Sequence, residues 1–275
     1  LIITSENFNL EHIAMSGQCF RMNELEKDRY SLVALGKYIE LTQLTSDTVE
    51  ITCDEKEYEE VWKDYFDMGY DYHKVVTSLL KGKDEFLKNA AAYGKGLRIL
   101  KQDVYETLIT FIISQRKSIP AIKTCVEALS RKYGQCKRNI HRNVEYFTFP
   151  SPEELSKATK AELREAGLGY RDDYIIKTTD AIVQERIDLK HLQQVSYEES
   201  IEILKTLSGV GIKVANCVAL FSLHHIEAFP IDVWIDRILN QVYQKKFDIN
   251  HYSGFAGIVQ QYMFYYARYN LKQIG

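Results

Sequence analysis

The spacing of apolar positions along this chain changes once, early. From Tyr30 to Leu35 and again from Lys37 to Gln43, apolar and polar residues alternate about Gly36, the pattern of two strands joined by a tight turn. Thr48 to Cys53 alternates too, with Val49, Ile51 and Cys53 on one face. From about Tyr58 the spacing turns helical and stays so. Capping boxes at Ser151-Pro152-Glu153-Glu154, Thr159 to Glu162, and Ser196 to Glu199 mark helix starts, and Gly167 reads as a C-cap after Ala166. Ile201, Leu204 and Leu207 form one helical stripe; Val214, Cys217, Val218 and Phe221 form the next. Strands first and helices afterwards predict an α+β chain. Residues 1–98 are expected to form a domain built on an antiparallel sheet with helices, and 99–275 an all-helical region. Gly94 and Gly96 mark the boundary, and the C-terminal helix is expected to pack back on the first domain.

Composition narrows the picture. A chain of 275 residues that is 45% hydrophobic can bury a real core, which excludes disorder. No run of 18 apolar residues predicts a membrane span, and Leu1-Ile-Ile-Thr-Ser-Glu6 lacks the basic start of a signal peptide. Five scattered cysteines fit reduced thiols in a cytoplasmic protein. The net charge of −3 sits awkwardly with nucleic-acid binding, but the charges are segregated. An acidic run from Asp54 to Asp67 reads as a solvated helix face. Arg116, Lys117, Lys123, Arg131, Lys132, Lys137, Arg138 and Arg142 form a basic stretch in the helical half.

The candidate chemistry lies in Ser208-Gly209-Val210-Gly211-Ile212-Lys213, between the two helical stripes. Two glycines let the backbone turn sharply, and the second helix then points unpaired N–H groups at whatever lies in front. Phosphate suits that place, although the pattern by itself also describes a plain helical corner. Lys213 sits at the wrong end of the helix dipole and near an apolar face, both of which disfavour its ammonium form. The product is an amine able to act as a nucleophile. Asp232 opens a further helix, Val233 to Tyr243, where it serves as an N-cap or as a carboxylate facing positive charge.

Leu207 to Cys217 followed by Phe229-Pro-Ile-Asp232-Val-Trp234 resembles the helix-hairpin-helix DNA glycosylases, and among them the 8-oxoguanine DNA glycosylase/lyases. Four more segments resemble that family in its own order. They are Ser16-Gly17-Gln18-Cys19-Phe20-Arg21, Gly96 to Asp103, Gly167-Leu-Gly-Tyr170-Arg171, and Gly257 to Phe264. Together the matches run from about residue 16 to 265.

The resemblance implies a base-excision repair enzyme. It would extract its target nucleotide from duplex DNA, since the anomeric carbon and the base edges are inaccessible in the stack. Lys213 would attack C1′, expel the base and form a Schiff base that permits strand cleavage by β-elimination. Asp232 would stabilise the cationic sugar and help move protons. Amides of Gly209 and Gly211 would hold phosphates. The Gly17 carbonyl would accept the N7–H that 8-oxoguanine has and guanine lacks, a contact that discriminates about 5- to 150-fold if an unmet polar group costs about 1–3 kcal/mol. Gln260 would read the Watson–Crick edge, with Phe264 and Cys217 covering the two faces of the base. The family's hairpin cation implies main-chain oxygens of Lys205, Leu207 and Val210 as ligands. No cofactor is required, and the four-cysteine loop of the iron–sulfur relatives has no counterpart after Asp232. The partner is double-stranded DNA containing 8-oxoguanine, with no membrane, and the protein is expected to act as a monomer in the cytoplasm (on the nucleoid) or in a nucleus.

Two positions depart from the family. Arg116 stands where an asparagine usually enters the vacated helix, and Ala121 where an arginine usually reads the opposite cytosine. Arg171 remains as the second cytosine reader, Tyr170 as the wedge, and Trp234 stands where relatives often have histidine. These changes predict excision with a relaxed preference for the opposite base. Two other functions compete: a monofunctional glycosylase for alkylated bases, which Lys213 argues against, and a non-enzymatic binding module, which needs neither Lys213 nor Asp232.

Overall fold

The computed structural model describes residues 1–270, so the last five positions of the expected helical region lie outside the described residues. Five strands form one antiparallel sheet in the order β1-β5-β4-β3-β2: β1 Ile2–Thr4, β2 Met22–Glu26, β3 Arg29–Ala34, β4 Lys37–Thr45 and β5 Thr48–Ile51. The three strands read from the alternation are present. β3 and β4 pair Leu32 with Ile39 and Ala34 with Lys37 around Leu35 and Gly36, whose φ angles of 52° and 72° suit a two-residue hairpin turn. Val49, Ile51 and Cys53 are all buried. Both edge strands escaped the reading. β1 has three residues and β2 buries only Met22, so neither carries an alternating apolar face.

The longer helices are α1 Tyr72–Lys81, α2 Glu85–Tyr93, α3 Val104–Ser114, α4 Ile119–Tyr133, α5 Arg171–Val183, α6 Tyr197–Lys205, α7 Ile212–Phe221, α8 Val233–Gln241 and α9 Ala256–Asn270. Reciprocal capping boxes form at Ser151 and Thr159; at Ser196 the side chain accepts from the Glu199 amide. The expectation of unbroken helix after Tyr58 fails at β6 Cys136–Asn139 and β7 Val144–Phe147, an antiparallel hairpin inside the helical half. Tertiary docking explains it. Asn139 donates to the Tyr38 carbonyl on β4 at 2.9 Å, and Arg142 pairs with the buried Glu40 at 3.0 Å. Lys137 reaches the Gly36 carbonyl, so the basic stretch is split, and part of it faces the sheet. The acidic run is likewise not all solvated. Asp67 is buried, accepts from the Tyr72 hydroxyl at 2.8 Å, and lies 3.2 Å from His224 and 3.3 Å from Lys101.

Two apolar clusters result. One joins the sheet to Trp62, Tyr65 and Phe66; the larger gathers the helices and takes in Phe20 from the N-terminal segment. The stretch 98–102 ties them together. Arg98 is buried and donates to carbonyls of Asn7 at 2.9 Å and Asp67 at 3.0 Å, while the Gln102 amide donates to Phe221 at the end of α7. α9 packs on α2, and Arg268 donates to the Met15 carbonyl, which brings the C-terminal helix against the first part of the chain.

Candidate active site

The hairpin before α7 is built as its glycines require. Gly209 has φ +78°, and a Cβ there would stand 2.6 Å from the Tyr174 ring, whereas nothing lies within 4 Å of the corresponding position at Gly211. The Ser208 and Gly209 carbonyls are turned inward, accepting from Thr178 Oγ1 and Gln115 Nε2, each at 2.9 Å. The Leu207 carbonyl accepts from the Val210 amide at 3.2 Å, closing the turn. Gly211 is the N-cap of α7 and offers no side chain to the first amides, which leaves that positive pole open.

Lys213 and Asp232 line one cleft of about 980 Å³ between α3, α4, α7, α8 and α9. Lys213 is half-buried, its Nζ 5.0 Å from the centre of the Phe111 ring. Asp232 caps α8 by accepting from the Ile235 amide at 2.9 Å. Burial lifts its carboxyl above the ordinary aspartate value, opposed by the capping amide and then by the nearby Lys213. The two roles weighed for Asp232 therefore coexist: the cap holds the carboxylate in the cleft. Burial also raises the Cys217 thiol, with Lys213 acting against it.

Of the other expected residues, Gly17, Phe264, Arg116 and Trp234 line the same cleft. Gly17 has φ +75°, and an added Cβ would stand 3.3 Å from Phe264 and 3.4 Å from Ile119. Its neighbour Gln18 pins the loop from below. Gln18 Nε2 donates to the Arg98 carbonyl at 2.7 Å, and its Oε1 accepts from the Leu100 amide at 2.8 Å. Arg116 is exposed with φ +53°, a conformation asparagine adopts more readily than arginine.

Cys217 and Gln260 sit one layer behind the cleft wall. Cys217 is 2% exposed, and Gln260, 3% exposed, donates to the Pro230 carbonyl at 2.9 Å. Tyr170 projects from a neighbouring loop, 52% exposed, whereas Arg171 is 5% exposed. Its guanidinium lies over the Tyr170 ring and donates to the carbonyls of Leu168 and Gln115. Gln115, missed in the sequence, thus connects the Arg116 loop, the hairpin and Arg171. Phe20, Phe111, Ile119, Arg237 and Arg268 also line the cleft unannounced. Arg237, three residues after Trp234 on one helical face, was the one that helical spacing could have found. Among the described residues no group of three or more His, Cys, Asp or Glu side chains is placed to hold a metal, and no helix is long and apolar enough to cross a membrane.

One cleft thus gathers an amine, a carboxylate, and a glycine beside an aromatic ring. Residues 1–108 match the family model of the 8-oxoguanine DNA glycosylase N-terminal domain, and residues 109–252 that of the HhH-GPD superfamily base excision DNA repair proteins. The chain is 32% identical over 232 residues to the probable N-glycosylase/DNA lyase of Methanothermobacter thermautotrophicus, covering 74% of this chain and 72% of that protein. It is 40% identical over 168 residues to the N-glycosylase/DNA lyase of Saccharomyces cerevisiae, covering 57% of this chain and 44% of the yeast protein. The Clostridium acetobutylicum 8-oxoguanine glycosylase/lyase, solved with double-stranded DNA containing cytosine opposite 8-oxoguanine, superposes with a TM-score of 0.91 at 33% identity over 98% of both chains. The chain belongs to the HhH-GPD superfamily of base excision DNA repair proteins, in the group that carries the 8-oxoguanine DNA glycosylase N-terminal domain.

Proposed function

We infer that this chain excises 8-oxoguanine from duplex DNA and then cleaves the strand as a lyase. The observation that carries the reading is Lys213 and Asp232 lining one cleft, beside a hairpin whose helix N-terminus is open. Lys213 attacks C1′ of the everted nucleotide and the base departs with the N-glycosidic electron pair. The nitrogen, having lost a proton that passes to the departing base, then expels O4′ from C1′, O4′ taking up a proton, to give the ring-opened Schiff base; loss of a C2′ proton expels the 3′ phosphate, and water releases the enzyme. Asp232 stabilises the positive sugar as the C1′–N bond breaks. Gly17 accepts from N7–H of the damaged base and Phe264 stacks on it; Gln260 reads the base edge from behind the wall on releasing Pro230, and Cys217 backs the pocket. Carbonyls of Lys205, Leu207 and Val210 suit a cation, being neutral oxygens of one turn; the Leu207 oxygen keeps a second lone pair beside its bond to Val210. The enzyme works as a monomer wherever the genome lies. Borohydride trapping on a duplex with one 8-oxoguanine tests the reading: a covalent adduct supports it, base release without an adduct indicates a monofunctional glycosylase, and binding alone indicates a non-enzymatic module.

The opposite base is read weakly. Position 121 is alanine, and the Arg171 guanidinium is engaged with two carbonyls and the Tyr170 ring. Single-turnover rates against cytosine, adenine, guanine and thymine partners are expected to agree within about 10-fold, about 1.4 kcal/mol. A cytosine-only profile defeats this.

The two hairpin glycines separate stability from binding. Gly209→Ala combines a left-handed φ with a clash on Tyr174 and is expected to cost about 2–4 kcal/mol of stability. Gly211→Ala is expected to fold normally, since its φ of −89° is ordinary and its surroundings open. It places a methyl where phosphate approaches, weakening DNA binding roughly 5–30-fold. Thermal melting and DNA titration of both variants check the contrast.

A further inference from the structure

Five cations line the cleft (Arg116, Lys117, Lys213, Arg237 and Arg268) against two carboxylates, Asp232 and Asp236. Three of the five have other tasks or partners. Lys213 is the proposed nucleophile, Lys117 donates to the Gly167 carbonyl at 2.7 Å, and Arg268 donates to the Met15 carbonyl. Arg116 is exposed on its loop. Arg237 is half-buried, and its guanidinium carbon lies 5.6 Å from the centre of the Trp234 ring, one helical turn earlier on α8. The ion-paired arginines among the described residues are Arg21, Arg29, Arg131, Arg142 and Arg164, and Arg237 is not one of them.

An everted nucleotide brings a phosphate on each side into the site. On the hairpin side the uncapped amides of α7 can receive one. The start of α8 cannot receive the other in that way, because the Asp232 carboxylate already accepts from the Ile235 amide and repels an anion. A side-chain cation must then serve on that flank, and a guanidinium over an indole face is partly positioned to meet a phosphate with less loss of freedom.

We propose that Arg237, positioned by Trp234, is the phosphate-anchoring residue for the second flank of the nucleotide everted into this cleft. The proposal rests on the excision reading above and deepens it. Its test compares two duplexes of equal length, one undamaged and one with a single tetrahydrofuran abasic analogue, titrated over a range of salt. Arg237→Gln is expected to weaken binding of the analogue about 10-fold and to reduce the slope of log Kd against log salt by about 0.9, one phosphate contact. The undamaged duplex, which everts nothing, keeps its slope. Arg237→Lys restores the slope but only part of the affinity, and Trp234→Leu weakens affinity with the slope retained. On 8-oxoguanine substrate the loss falls more on KM than on kcat. An unchanged slope in a variant that melts like the wild type overturns the proposal, as does an equal loss on both duplexes, or a slope lost through Arg268→Gln instead. Borohydride trapping of the wild-type protein is run alongside. If it fails, the excision reading fails; if it succeeds while Arg237→Gln keeps its slope, only the anchor is lost.

Discussion

Lys213→Gln is expected to abolish both the borohydride adduct and base release, with single-turnover excision falling by about 10⁴-fold or more, the scale of removing a nucleophile from a preorganised site. Binding of an abasic-analogue duplex is expected to survive, because the hairpin amides and the other four cleft cations, Arg116, Lys117, Arg237 and Arg268, are untouched. The fold is expected to survive as well. Lys213 is half-buried against Phe111, and glutamine keeps most of that apolar contact while removing a cation placed beside the positive pole of α7. Melting temperature, trapping and binding should therefore separate cleanly in one variant. Residual excision within 10-fold of the wild type means that another group attacks C1′, and the assignment of Lys213 is then wrong.

Asp232→Asn carries the second large effect, a fall of about 10²- to 10⁴-fold in excision with binding of damaged DNA retained. Its stability should move the other way. Asparagine caps helices about as well as aspartate, so the Ile235 amide keeps an acceptor. Burial raises the Asp232 carboxyl above its ordinary 3.8, so across the interval between 3.8 and the raised value the folded protein binds more proton than the unfolded one. Unfolding free energy then falls as pH rises through that interval, and the penalty is complete above it. Asparagine carries no such penalty. The variant is expected to gain stability relative to the wild type as pH rises above about 4, with the full difference at neutral pH. Melting temperatures from pH 3 to 8 check it: a variant that loses stability across that range shows that the carboxylate serves the fold more than the chemistry.

Much of this site was legible in the chain itself, where covalent order supplies both the residues and their geometry. Gly209-Val-Gly211 with Lys213 two residues on is a local arrangement, and the structure forms the sharp turn the pattern implied, with Gly209 left-handed and Gly211 in open surroundings. Asp232 was legible as a cap for the same reason. The alternation through β3, β4 and β5 and the capping boxes at Ser151 and Thr159 are also local, and all appear.

Contacts between distant segments decided the rest. The β6–β7 hairpin carries few buried apolar residues and forms where Asn139 and Arg142 meet β4, about a hundred residues earlier in the chain. Asp67 left the solvated face because Tyr72, Lys101 and His224 surround it. Arg171 and Gln260 have the residue types of readers, yet in this conformation backbone carbonyls hold them behind the surface. Gln115 and Arg237 carry no motif, and the packing of five helices around one cleft gives them a part in it. The sequence by itself determined the fold class, the hairpin and the two helix starts that carry Lys213 and Asp232, because near-neighbour geometry and helix ends are written in consecutive residues. Which side chains face the cleft, which are held in reserve, and where a second phosphate finds a cation were decided by tertiary structure alone, since burial and charge proximity are properties of surfaces brought together only on folding.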